Sequence, residues 1–142
     1  MKQITRYAAA YGIGAFAGII NELLVDRDHW AIVNPTWKVP IIATVGNIYG
    51  WSTVGATMLF DYAGRRGVNP WVQIVGATLV AVTIEGIAGQ ISKQFHNGDK
   101  KWHYPDSWIP LFGGYVSVVS TLYFGLGVAL FYWLIFKPLL KV

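Results

Sequence analysis

The chain has 142 residues and a net charge of +4; 54% of it is hydrophobic, 15% aromatic and 13% charged. A soluble domain carries about 25% charged residues, and the mean hydropathy here is +0.43. The absence of cysteine excludes disulfide scaffolds, thiolate zinc sites, cysteine nucleophiles and iron–sulfur clusters. The length fits one domain, and the apolar runs predict an integral membrane protein.

A membrane-crossing helix needs about 20 mostly apolar residues. Four stretches qualify, near residues 7–25, 39–62, 71–91 and 109–136. Backbone groups in lipid must be satisfied internally, which selects helices. The run from Ile74 to Val82 lacks the period-two alternation of a transmembrane barrel. The first span follows Lys2 and Arg6; it is too long for a signal h-region and lacks an A-x-A cleavage site at its end, before the next loop, so it reads as retained.

Four spans place both termini on one side. That face carries Lys2, Arg6, Arg65, Arg66, Lys137 and Lys141 against Asp61. The other carries Arg27, Lys38, Lys93, Lys100 and Lys101, offset by Asp26, Asp28, Asp99 and Asp106. The expected location is the cell inner membrane, multi-pass, with both termini cytoplasmic. The positive charge reads as a topology signal, and no compact basic–aromatic patch points to nucleic acid.

The chain also reads as two similar hairpins, residues 1–66 and 67–142. Trp30, Pro35, Trp37 and Pro40 follow the first span; Trp102, Pro105, Trp108 and Pro110 follow the third. Glu22 and Glu85 sit in the outer parts of the odd spans. Tyr49-Gly50 and Gly114-Tyr115 lie in the even ones. The expected fold class is therefore an all-α membrane protein: four transmembrane helices as two pseudo-repeated hairpins with Trp- and Pro-rich outer loops. Trp30, Trp37, Trp102, Tyr104 and Trp108 are read as interfacial anchors, half buried with their polar atoms wet. Gly14-x-x-x-Gly18 and Gly46-x-x-x-Gly50 are read as grooves for close helix packing.

Glu85 lies about 21 Å into its helix at 1.5 Å per residue. Insertion scales put the cost of an ionisable group at that depth at about 2.5–3.5 kcal/mol. It should face the bundle interior, be protonated, or have a partner. Asn47 lies at similar depth, so Glu85, Asn47 and Gln90 form a candidate substrate or proton pathway, with Glu22 a further candidate nearer the interface. An interhelical hydrogen bond that fixes packing is the structural alternative. His29, His103 and Asp28 are weak metal candidates on the outer side, without a ligand-spacing signature. No serine has a G-x-S-x-G setting. No catalytic residue and no cofactor are expected.

The order of these motifs resembles the small bacterial membrane proteins of the ABC-transporter type IV permease family, over most of the chain. In that family an acid closes an apolar helix and Ile-Tyr-Gly lies in the next, as Glu22 and Ile48-Tyr49-Gly50 do here. A second acid precedes a Trp-Asp-Tyr element and a glycine opening the last helix. Glu85, Trp102-His103-Tyr104 and Gly113 or Gly114 match these. The final helix runs to a proline, as in Phe136-Lys137-Pro138. The chain departs at His103, where the family has Asp, and lacks the Arg-Gly and Gly-Pro-Cys-Pro elements. The resemblance implies a transport-associated membrane component. With no Walker A loop in the chain, an ATP-driven role would need a separate ATPase subunit.

Three functions follow as expectations. The first is a non-enzymatic subunit that packs against partner proteins or membrane lipid in a transport complex. The second is a small carrier or channel, working as a homo-oligomer, with Glu85 in its pathway. The third is an outer-face His/Asp metal-dependent enzyme.

Overall fold

The computed structural model describes residues 2–24, 41–95, 97, 98 and 102–141. Among them are α1 (Gln3–Leu24), α2 (Ile41–Gly64), α3 (Pro70–Phe95) and α4 (Val118–Phe131). The last continues as a π-type helix over Tyr132–Leu140. The expected anchors Trp30 and Trp37, and the metal candidates His29 and Asp28, lie outside the described residues.

Local chemistry sets the helix limits. Pro70 opens α3, where a missing N–H is harmless, and the Asn69 side chain accepts from Trp71 N at 2.9 Å. Gly67, at φ 68°, turns the chain between α2 and α3. Within the apolar helices, the hydroxyls of Thr53, Thr57 and Thr78 donate to the carbonyls four residues earlier. Each polar side chain is thereby satisfied without leaving its own helix. Pro138 lies inside the π-type segment, where the Lys141 N–H bonds to the Phe136 carbonyl five residues back. Proline removes a helical donor and crowds the preceding turn, and the wider register accommodates it.

The fourth helix begins nine residues later than the sequence predicts. Residues 109–117 fold instead into a small antiparallel hairpin. Its strands, β1 (Pro110–Leu111) and β2 (Val116–Ser117), pair Pro110 with Ser117 and Leu111 with Val116. Gly113 and Gly114 have φ of 70° and 94°, and Ile109 and Phe112 are also left-handed. A run of left-handed residues cannot continue a right-handed helix. Ser117 then starts α4 through a reciprocal cap with Ser120, each side chain receiving the other's backbone N–H at 2.9 Å.

The helices pack in sequence, α1 on α2, α2 on α3 and α3 on α4. Phe60 of α2 centres one apolar cluster, with the rings of Tyr132 and Phe136 at 4.8 and 5.0 Å. A second cluster joins Val45, Ile48, Trp102 and Tyr115. Glycines set the spacing of α1 and α2. A Cβ on Gly14 would collide with Thr53, one on Gly18 with the Tyr49 ring, and one on Gly50 with Tyr11. Gly46 differs: a Cβ there would meet only side-chain atoms, the nearest Ile19 Cδ1 at 3.4 Å. The close-packing role expected of four glycines thus belongs to three.

The surface is inverted relative to a soluble protein. Leu122, Leu126, Leu130 and Leu134 are exposed along the last helix, as are Phe16 and Trp51. Arg6, Glu22, Gln73 and Glu85 are buried. Two helices, Pro70–Phe95 and Val118–Leu140, are long and apolar enough to cross a membrane. At the end that carries both chain ends, Arg6 forms a two-pronged ion pair with Asp61, at 2.9 and 2.7 Å. Its Nε also donates to the Leu140 carbonyl at 2.6 Å. One guanidinium thus ties α1, α2 and the last helix together.

Candidate functional site

Away from the Arg6 clamp, α1 and α3 each bury a glutamate. Glu22 and Glu85 are both only 2% exposed. Each accepts a phenolic hydrogen bond. The Tyr49 hydroxyl of α2 donates to Glu22 Oε1 at 2.9 Å. The Tyr104 hydroxyl, from the segment joining α3 to the hairpin, donates to Glu85 Oε1 at 3.1 Å. The two pairs lie near enough for each carboxylate to act electrostatically on the other pair's phenol, and together they make up one candidate centre.

The sequence places these side chains by contact with glycine. The Tyr49 ring lies on Gly18, one turn before Glu22 on the same face of α1. The ring also stacks on Phe124 of α4, at 5.5 Å between centroids. Asn21 Nδ2 donates to the Tyr49 oxygen at 3.4 Å. On the α3 side, Phe112 lies over Gly86 and Tyr115 over Gly89. These are glycine contacts immediately beside Glu85, and they seat the hairpin against the helix that carries it. Gln90 Nε2 reaches the Phe112 carbonyl at 3.4 Å. Gly114 O accepts from Tyr104 N at 2.8 Å, so the hairpin also fixes the backbone of the residue that holds Glu85.

Tyr104 is raised well above the ordinary tyrosine value, first by burial of its phenol and then by the Glu85 carboxylate. The folded value exceeds the unfolded one, so the stabilisation is complete below the unfolded value of about 10 and is lost as pH rises beyond it. Alkaline unfolding followed by circular dichroism should therefore steepen above about pH 10, and Tyr104→Phe should flatten that limb. An unchanged limb in the variant would assign alkaline unfolding to other groups.

The candidates named from sequence divide. Glu85 and Glu22 meet in this centre. Asn47 is exposed and accepts from Tyr11 at 2.7 Å; Gln90 is exposed and supports the hairpin. Trp102 is buried at 4% exposure, where the sequence predicts a half-buried ring. Its Nε1 donates to the Tyr115 carbonyl at 3.3 Å, which removes its need for water. Tyr104 likewise turns inward, with Trp108 stacked on it at 5.5 Å. His103 is exposed, and no three His, Cys, Asp or Glu side chains converge among the described residues.

Sequence reasoning singled out both glutamates but missed their phenolic partners. Tyr49 was visible as part of Ile48-Tyr49-Gly50, and Tyr104 as the last residue of Trp102-His103-Tyr104. The missed signal was that each acid is accompanied by a tyrosine in a neighbouring segment. No known protein family, curated protein or solved structure matches the chain.

Proposed function

We propose that this chain is a multi-pass inner-membrane protein that passes a monovalent cation or proton through its bundle at the Glu22–Glu85 centre. The observation that carries this reading is the pair of buried carboxylates, each held by a tyrosine, in a molecule whose outer surface is apolar. Ionisable groups inside a membrane bundle are costly and are concentrated where ions or protons move. A carboxylate held by a phenol can release that bond to an incoming cation and recover it when the cation leaves. The non-helical hairpin beside Glu85 supports the same reading, because irregular backbone at membrane depth is tolerated where it is buried in protein or lines a path.

In this reading all four long helices cross the bilayer and both termini are cytoplasmic. The lower apolarity of α1 and α2 follows from their glycines, tyrosines and threonines, of which Gly14, Gly18, Gly50 and Thr57 pack inside the bundle. The resemblance to the type IV permease family supports transport as the activity. Its motif positions include Glu22, Tyr49, Glu85 and Tyr104, the four residues that meet at the centre.

The test is flux in liposomes containing the purified protein, with proton, sodium and potassium gradients imposed in turn. Wild-type protein should dissipate at least one gradient. Glu85→Gln and Glu22→Gln should each lower that flux at least tenfold with helical content intact. No flux from wild-type protein, or full flux from both variants, would remove the centre from any pathway.

A second reading, a transport-associated subunit, draws on the exposed leucine row of the last helix, an apolar face open to lipid or to a partner such as a separate ATPase subunit. Native mass spectrometry from the original membrane distinguishes the two: a bound foreign subunit favours the second, a homo-oligomer the first.

A further inference from the structure

The end of the bundle that carries the Arg6 clamp contains a cavity of about 680 Å³. The Arg6–Asp61 pair lines it, and each charge of that pair is largely met by the other. Arg65 and Lys141 lie at the same cavity, both exposed, and Asp61 is its only lining carboxylate among the described residues. Among the described residues its lining is therefore net positive. Phe60, Tyr132 and Phe136 supply an apolar wall that continues into the aromatic cluster between α2 and the last helix.

Two uncharged polar side chains also line it: Gln3, which is exposed, and Gln73, which is only 3% exposed. Its Nε2 donates to the Val68 carbonyl at 2.7 Å. Its Oε1 lies beside Gly64, also on the cavity wall, and receives no hydrogen bond among the described residues. A buried amide oxygen left without a donor is costly, and the residue that carries it lines a space large enough for a ligand.

The cavity also lies near the belt of aromatic and basic residues that marks a membrane–water boundary. Lys137 Nζ sits 4.6 Å over the Trp133 ring, and Arg66 lies 3.7 Å over Tyr62. Trp71 and Trp133 meet at 6.2 Å. Such side chains gather at headgroup depth, and basic pockets between membrane helices at that depth take anionic headgroups.

We infer that this cavity binds the headgroup of an anionic glycerophospholipid. Its phosphate lies between Arg65 and Lys141, and a headgroup hydroxyl donates to Gln73 Oε1. The apolar wall favours a lipid over free phosphate, since a soluble anion has nothing to place against Phe60, Tyr132 and Phe136. The inference rests on membrane placement and is independent of the Glu22–Glu85 centre.

The experiment titrates the delipidated full-length protein with single lipids and counts bound lipid by native mass spectrometry. Phosphatidylglycerol should bind about thirtyfold more tightly than phosphatidylcholine, as two basic contacts at headgroup depth allow. It should also exceed phosphatidylmethanol, which has the same charge and no headgroup hydroxyl. Arg65→Gln combined with Lys141→Gln should bring phosphatidylglycerol close to phosphatidylcholine. Gln73→Met should erase only the margin over phosphatidylmethanol. Lys93→Gln, which removes a cation from the far end of α3, should change neither. Equal binding of all three lipids by wild-type protein would overturn the inference. So would an equal loss in Lys93→Gln, which would indicate unspecific charge. Displacement by inorganic phosphate with no lipid preference would overturn it in favour of a soluble anion.

Discussion

Arg6→Ala should destabilise the protein by about 3–5 kcal/mol, the range for breaking a buried ion pair by removing one partner. The side chains of Arg6 and Asp61 are 5% and 10% exposed, so the pair is only weakly screened by solvent. The substitution leaves the Asp61 carboxylate without its two-pronged donor and releases the Leu140 carbonyl. It cuts a side chain that ties α1 and α2 to the end of the last helix. Arg6→Lys should recover only part of the loss, because an ammonium cannot supply the planar fork that meets both carboxylate oxygens. The double variant Arg6→Met with Asp61→Leu should be more stable than Arg6→Ala alone, since no uncompensated charge then remains. Urea unfolding in mild detergent, followed by circular dichroism, measures all three. A loss below about 1 kcal/mol for Arg6→Ala would mean that the pair behaves as a solvated surface bridge.

Gly18→Ala should cost about 1–3 kcal/mol, the usual effect of overpacking a close contact. A methyl group on Gly18 collides with the body of the Tyr49 ring, which also stacks on Phe124. The ring cannot yield without drawing its hydroxyl away from Glu22, so flux through the centre should fall with stability. Gly46→Ala is the matched control on the facing helix. Its new methyl meets the flexible end of Ile19 at ordinary contact distance. Alanine also favours helix over glycine by up to about 1 kcal/mol, so that variant should be neutral or stabilised. Equal losses at both positions would show that the α1–α2 spacing is set by something other than the Tyr49 ring.

Much of the architecture is legible in the sequence because the helix signal is local. Long apolar runs and Pro70 at a helix start mark the helices without knowledge of their neighbours, although the last helix continues past Lys137-Pro138 to Leu140. Glu85 is conspicuous for the same reason, as an acid well inside an apolar run. The last helix misled for an equally physical reason. Apolarity continues from Ile109 to Phe136, but hydropathy does not register backbone dihedral angles. The left-handed stretch from Phe112 to Gly114 turns residues 109–117 into a hairpin, and the helix waits for the Ser117 cap.

Polar partners were the least legible part. Arg6 and Asp61 are separated by 55 residues, Glu22 and Tyr49 by 27 and Glu85 and Tyr104 by 19. Counted along the chain, Arg6 is one more basic residue near a terminus, and Tyr104 one more interfacial aromatic. Composition determined that the protein is helical, apolar on its surface and sparing with charge. Only the tertiary structure decided which charges meet, because that depends on where glycines let the helices and rings approach. Gly18 admits Tyr49 to Glu22, and Gly86 and Gly89 seat the hairpin that holds Tyr104 at Glu85.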